Sequence, residues 1–257
     1  MIERMLRNPL WLVLALVISG FVGAALFAAV QRMLPAAVAS TDRARIESIV
    51  RDYLLEHPEI LPQAMERLQA REAQQRDQQA GKEIAANRDR IVAPYPGAFA
   101  GNPNGDVTLV AFMDYACGYC RASVPILAQL VAEDSNLRIV YREYPVLSDE
   151  SIVAARWALA AAEQGKFVPF HVALYSGDRL SDAAIQAALD KAGVDKARAR
   201  GVIDEPRVSK EIATNRELAE KLGIGGTPSF VIGDRMIPGA VGLDQLRAAI
   251  ADARKAK

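Results

Sequence analysis

The stretch Val107–Cys120, VTLVAFMDYACGYC, decides how this chain is read. Its opening, Val107 to Met113, is a short apolar run preceded by the turn signal Asn102-Pro-Asn-Gly-Asp106, the pattern of a buried strand. Cys117-Gly-Tyr-Cys120 follows, and then RASVPILAQLVAE, whose apolar residues recur at helical spacing through Leu130. The two cysteines therefore stand where a strand turns into a helix. Unpaired amides at a helix amino terminus stabilise an anion, so this placement favours the thiolate of Cys117. Cys120, one turn further in, is near enough to form a disulfide with Cys117 and more sheltered. The spacing predicts a pair that cycles between dithiol and disulfide, with Cys117 exchanging and Cys120 resolving the mixed disulfide.

Other uses of the pair fit less well. The 257 residues contain 2 Cys and 2 His, the latter being His57 and His171. A four-cysteine zinc site and a three-histidine centre are excluded, and neither histidine has a ligand's usual spacing from the cysteines. Haem attachment requires a histidine directly after the second cysteine, where Arg121 stands. A permanent disulfide closing so short a loop adds little stability. No metal and no cofactor are expected, because the cysteine pair itself carries the electrons.

Downstream, Leu137 to Tyr144 (LRIVYREY) reads as a second strand with Leu137, Ile139 and Tyr141 on one face. Strand, helix and strand in that order imply a right-handed parallel unit. Roughly eighty residues then separate Pro145 from Thr227, against the dozen or so that a crossover needs. They read as helices at about 150–164, 168–175, 181–192, 195–203 and 207–222, an all-helical insertion over about 146–222. In Gly223 to Ile232, GIGGTPSFVI, Thr227-Pro228 leads into a strand from Ser229 to Ile232. Proline there removes a ladder donor, and a cis bond that leaves backbone groups free beside a site accounts for it. The glycines at 223, 225 and 226 read as a helix stop and turn, since no strand precedes them to make a dinucleotide loop. Arg235 to Ile237 would pair as a short strand, and Leu243 to Arg254 would close the domain as a helix.

Upstream, Ala93-Pro-Tyr-Pro-Gly97 marks a break. Before it, residues 40–92 read as a helical stalk. Ile46, Ile49, Val50, Tyr53 and Leu54 share one face, His57-Pro58 interrupts, and a second helix starts with Ile60, Leu61, Met65 and Leu68. That helix turns polar through REAQQRDQQAGKE, which predicts either a solvated spacer or one strand of an oligomer built on the apolar face of 46–68. Residues 1–35 hold the uncharged run Leu10 to Val30, about 21 residues or roughly 31 Å as a helix, the span of a bilayer core. It reads as an uncleaved anchor, or as a signal segment cleaved after Ala37-Val-Ala39. The domains expected are thus 1–35, 40–92 and 97–257. With 31 Lys+Arg against 31 Asp+Glu the net charge is zero, and nucleic acid is not an expected partner.

These residues resemble the thioredoxin superfamily and, within it, the DsbA-like branch. VTLVAFMDYACGYC, YREYPVL, GTPSFVI and the long helical insertion carry the likeness over residues 97 to 254. FMDYACGYCR together with an amino-terminal helical segment is similar to the ScsC type (suppressor of copper sensitivity protein C). The resemblance implies an α/β thioredoxin fold with a helical insertion. It implies a periplasmic disulfide oxidoreductase or isomerase, some of whose relatives assemble through amino-terminal helices. Cys117 would be the nucleophile, Cys120 the resolving thiol, and a cis Thr227-Pro228 the dock for substrate backbone, with Tyr119 beside it. Two departures stand out. Gly118-Tyr119 replaces the Pro-His of strongly oxidising DsbA proteins, and tyrosine supplies no positive charge to a thiolate. At Ala111, six residues before Cys117, the superfamily often carries a buried acid that shuttles protons. Asp114 and Glu143 are the candidates to replace it.

The function expected is thiol–disulfide exchange on protein cysteines, on the periplasmic side of the bacterial inner membrane, in a compartment where disulfides persist. The expected partners are cysteine-containing clients, a membrane redox partner, the inner membrane through the amino-terminal helix, and further copies of the chain. Oxidase, isomerase and reductase remain open. So does a reading of another class, a membrane-tethered chaperone or binding module with an incidental cysteine pair.

Overall fold

The computed structural model describes residues 9–33 and 35–256, which divide into two compact units at Ala70/Arg71. The first unit is helical: α1 (Pro9–Met33), α2 (Pro35–Glu56) and the start of α3 (Ile60–Val92). In α1 the side chains of Leu16, Phe21, Leu26 and Phe27 are exposed, and in the next helices those of Ile46, Ile49, Tyr53, Leu61, Met65 and Leu68 are exposed as well. Leu54 is half-buried. The side chains of residues 9–12, 15 and 31–41 lie outside the described residues, those of the cleavage site expected at Ala37-Val-Ala39 among them. Among those that are described, no helix is long and apolar enough to cross a membrane.

The second unit begins at Arg71, ahead of the proline-rich break at which the sequence placed the boundary. The physical reason is a narrow stripe on an otherwise polar helix. Ala80, Ile84 and Ile91 of α3 are buried, and the two isoleucines pack with Val110, Phe112, Val140, Leu218 and Val231. The expectation of a helix solvated all round thus fails over its last three turns.

A sheet of five strands forms the frame: β1 (Phe99–Gly101), β2 (Val107–Met113), β3 (Leu137–Glu143), β4 (Ser229–Ile232) and β5 (Arg235–Pro238), in the order β1-β3-β2-β4-β5. β2 and β3 run parallel and the other pairs are antiparallel. Strand periodicity sorts the core into two halves. Leu109, Ala111, Met113, Ile139, Tyr141, Phe230 and Ile232 face one side, together with α4 (Gly118–Glu133) and α10 (Leu243–Lys255). Val110, Phe112, Val140 and Val231 face the other, covered by α3 and α9 (Pro206–Lys221). The insertion between β3 and β4 is all-helical: α5 (Asp149–Ala162), α6 (Phe167–Tyr175), α7 (Asp182–Ala192), α8 (Lys196–Ile203) and α9. Ser148, Ser181 and Asp195 cap α5, α7 and α8 with their side-chain oxygens.

β1 is the element that the sequence reading lacked. It follows Gly97, at φ 84, ends on Gly101, at φ 77, and pairs with β3 at the sheet edge. A Cβ at Gly97 would fall 2.1 Å from the carbonyl oxygen of Ala162, so only glycine fits this exit from the break.

Candidate active site

β2 ends at Met113, and the chain turns through Asp114-Tyr115-Ala116 into α4 with Cys117 as its N-cap residue. The turn is held by one carboxylate. Asp114 Oδ1 accepts from the Ala116 amide at 2.7 Å and the Ser151 hydroxyl at 2.6 Å, and Oδ2 accepts from the Val146 and Leu147 amides at 2.8 and 2.9 Å. Both oxygens are engaged and the side chain is buried, which ties the cysteine turn to the loop after β3 and to α5.

Cys117 Sγ accepts from the Cys120 amide at 3.3 Å as the N-cap side chain of α4. On its other side the Cys117 thiol donates to the Thr227 carbonyl at 3.2 Å. Thr227-Pro228 is a cis peptide bond, and Pro228 leads directly into β4. The structure thereby brings together Cys117, Cys120 and Thr227-Pro228, residues more than a hundred positions apart. Both cysteines are free thiols. They differ in access: Cys117 keeps 7% of its surface and Cys120 none. Burial pushes the Cys120 thiol far up, so it is held in the neutral form. Tyr119 between them is 72% exposed and free to meet another molecule. Val146 and Leu147, tied to the same turn through Asp114, add exposed apolar surface. Gly223 to Ser229 also line one wall of a cleft whose other wall carries Ala73, Arg76 and Asp77 of α3.

Of the two candidate acids, Asp114 is fixed in structure, whereas Glu143 is buried against Tyr115, whose hydroxyl donates to Oε1 at 3.2 Å. Burial is the main force raising the Glu143 carboxyl well above its ordinary range, and the neighbouring charge of Asp114 adds to it. The sequence reading missed Tyr115, which donates to Glu143, and His171 and Tyr175, which pack on Tyr115. Their signal was faint: one histidine set in the strongly apolar helix FVPFHVALY. Among the described residues no group of three or more His, Cys, Asp or Glu is placed to hold a metal ion.

Residues 108–251 match the DSBA-like thioredoxin domain family, and residues 42–75 match the copper resistance protein ScsC N-terminal domain. Among curated proteins, the chain is 30% identical over 156 residues to the Na(+)/H(+) antiporter NhaA 3 of Salinispora tropica; the match covers 60% of this chain and 24% of that protein. The chain thus spans about a quarter of the length of that relative. Among solved structures, a thioredoxin-like oxidoreductase from Silicibacter pomeroyi is 42% identical with a TM-score of 0.64, covering 66% of this chain and 99% of that one. Proteus mirabilis ScsC in a transitional conformation is 28% identical with a TM-score of 0.64, covering 85% and 99%.

Proposed function

The chain belongs to the DSBA-like thioredoxin domain family, a family of thiol–disulfide oxidoreductases, and from that premise we propose that it exchanges disulfides in client proteins outside the cytoplasm. The observation that carries this reading is the position of Cys117 Sγ, between the amide of Cys120 and the carbonyl of Thr227. A client segment paired along the backbone at Thr227 would bring its own sulfur to Cys117. The Cys117 thiolate attacks the client disulfide, one client sulfur leaves with the electron pair, and Cys120 displaces the second, closing the Cys117–Cys120 disulfide. Run in reverse, the same steps insert a disulfide. The roles follow from access, since only Cys117 reaches the surface and only Cys120 is wholly sheltered.

The amino-terminal unit sets where this happens. The uncharged run from Leu10 to Val30 is of bilayer length and holds the domain on the periplasmic face of the inner membrane. The exposed apolar residues from Ile46 to Leu68 pair with further copies of the chain, which places several cysteine pairs around one client.

The test is the redox state of the pair in living cells, trapped by acid, alkylated and read as a mass shift. A mostly reduced pair identifies an isomerase or reductase fed by a membrane reductant. A mostly oxidised pair identifies a donor of disulfides. Cys117→Ser abolishes exchange in either case, and exchange that survives it overturns the assignment.

A further inference from the structure

The cleft beside the cis turn has a second wall that the exchange steps above do not use. It encloses about 440 Å³, within the range of ligand-binding clefts, and is lined by Gly223 to Ser229, by Met236 and Pro238 of β5, and by α3. Ile224, Pro228 and Ser229 are buried, and Ser229 Oγ donates to the Gly226 carbonyl at 2.8 Å, which holds the turn. Gly225 and Gly226 are exposed along the cleft, and the fold requires glycine at neither. Neither has a positive φ, and a Cβ at either would meet nothing within 4 Å. Their amides have no hydrogen-bond partner among the described residues. Bare backbone with open donors next to Thr227 suits an extended chain, whose carbonyls can take those amides. The client segment that brings its sulfur to Cys117 at Thr227 is therefore the occupant, and it continues past Gly226 and Gly225.

The opposite wall meets the side chains of that segment. Ala73, Arg76 and Asp77 of α3 form it, and Arg76 and Asp77 are the charged residues in a lining that is otherwise uncharged. Arg76 Nε donates to the Glu72 carbonyl one turn back at 3.3 Å, which braces the stem. Its terminal nitrogens have no hydrogen bond or ion pair among the described residues, Asp77 included. A guanidinium fork takes a carboxylate through two parallel bonds, and its stem reaches further than that of the neighbouring aspartate. We propose that Arg76 is a specificity-determining residue, pairing with an acidic side chain that flanks the exchanging cysteine of the client. Asp77 keeps the net charge of this wall at zero, so the preference arises from contact with Arg76 and not from a long-range field.

Because this presupposes the exchange chemistry of Cys117 and Cys120, the experiment is built to separate the two. The reduced full chain in detergent is mixed with otherwise neutral peptides whose single cysteine carries 2-mercaptoethanol as a mixed disulfide. That cysteine is flanked on both sides by Glu in one peptide and by Lys in the other. Cys117 attacks the peptide sulfur, mercaptoethanol leaves with the electron pair, and Cys120 then displaces the peptide thiol. Acid quenching, alkylation and a mass shift give the rate, which is divided by that of the same peptide with dithiothreitol.

The wild type takes the Glu peptide about two- to fivefold faster than the Lys peptide at low salt, the worth of one exposed ion pair. In about 0.5 M sodium chloride the ratio closes toward one. Arg76→Gln brings it near one at low salt, and Arg76→Glu reverses it, which a general loss of structure would not do. Asp77→Asn keeps the Glu peptide ahead. Equal rates for the two peptides in the wild type, or a preference that neither Arg76 variant moves, overturn the assignment. A wild-type protein that reduces neither peptide overturns the proposed function instead.

Discussion

Asp114, Glu143 and His171 are three ionisable side chains in one buried neighbourhood, and each is set to a different task by what surrounds it. Asp114 accepts four hydrogen bonds, so Asp114→Ala strands four donors; the expected loss is about 2–4 kcal/mol, read as a lowered urea midpoint. His171 is depressed by burial to about 3. The unfolded chain binds a proton at that residue below about 6.5 and the folded chain refuses it, so stability is full above this pH and falls as the medium is acidified toward 3. The slope is up to roughly 1.4 kcal/mol per pH unit, and His171→Phe flattens it in denaturation curves taken between pH 3 and 7. Glu143 acts with the opposite sign. Its folded-state pKa is raised, so its contribution is full below the ordinary carboxylate range and is lost as pH rises toward the folded value. Glu143→Gln, which cannot ionise, therefore gains stability relative to wild type between pH 5 and 8, measured by the same curves. The sequence offered Asp114 and Glu143 as candidates without separating their roles, because nothing local distinguishes a surface acid from a buried one.

α3 is the element whose role changed most between sequence and structure. Its apolar stripe is three residues wide, and what completes its docking is a cation on β3. Arg142 is almost fully buried and donates to the carbonyls of Arg90, Ile91 and Ala93 at the carboxyl end of α3, to Glu211 Oε1 at 2.7 Å and to Asn215 Oδ1 at 3.0 Å. Those carbonyls have no partner within the helix, so one guanidinium satisfies both the helix end and an acid on α9. Arg142→Met strands the carbonyls and Glu211 together. The expected cost is about 3–5 kcal/mol, and limited proteolysis should then cut within residues 80–92 before the rest of the domain. The paired strands and the insertion helices were legible because each carries its own period, cap and stop. β1 was not, since a three-residue edge strand that ends in glycine has too little pattern to register.

At the scale of the whole molecule, the cysteine pair and the amino-terminal unit make separate predictions. Ile46, Ile49, Tyr53, Leu61, Met65 and Leu68 expose more apolar surface than a short solvated connector needs. Leu61→Glu with Met65→Glu should reduce the sedimentation coefficient of the detergent-solubilised chain to that of a monomer. Reduction of a small disulfide by the variant stays at the wild-type rate, because Cys117 and Cys120 are untouched. Reshuffling of a client with scrambled disulfides slows, because it depends on several pairs acting on one chain. An unchanged sedimentation coefficient counts against assembly through this face.

The sequence by itself determined what is local. The apolar run of β2, the cysteines at the start of α4 and the proline entering β4 each follow from neighbours within a few residues, where steric and hydrogen-bond rules act directly. Tertiary structure alone decided which distant groups meet. Tyr115 joins Glu143 across 28 positions and His171 across 56, Cys117 meets Thr227 across 110, and Arg142 reaches Ile91 across 51. The environment that makes a carboxyl neutral, a thiol reluctant to ionise or a polar helix part of a core is created only when the sheet and its helices close around it.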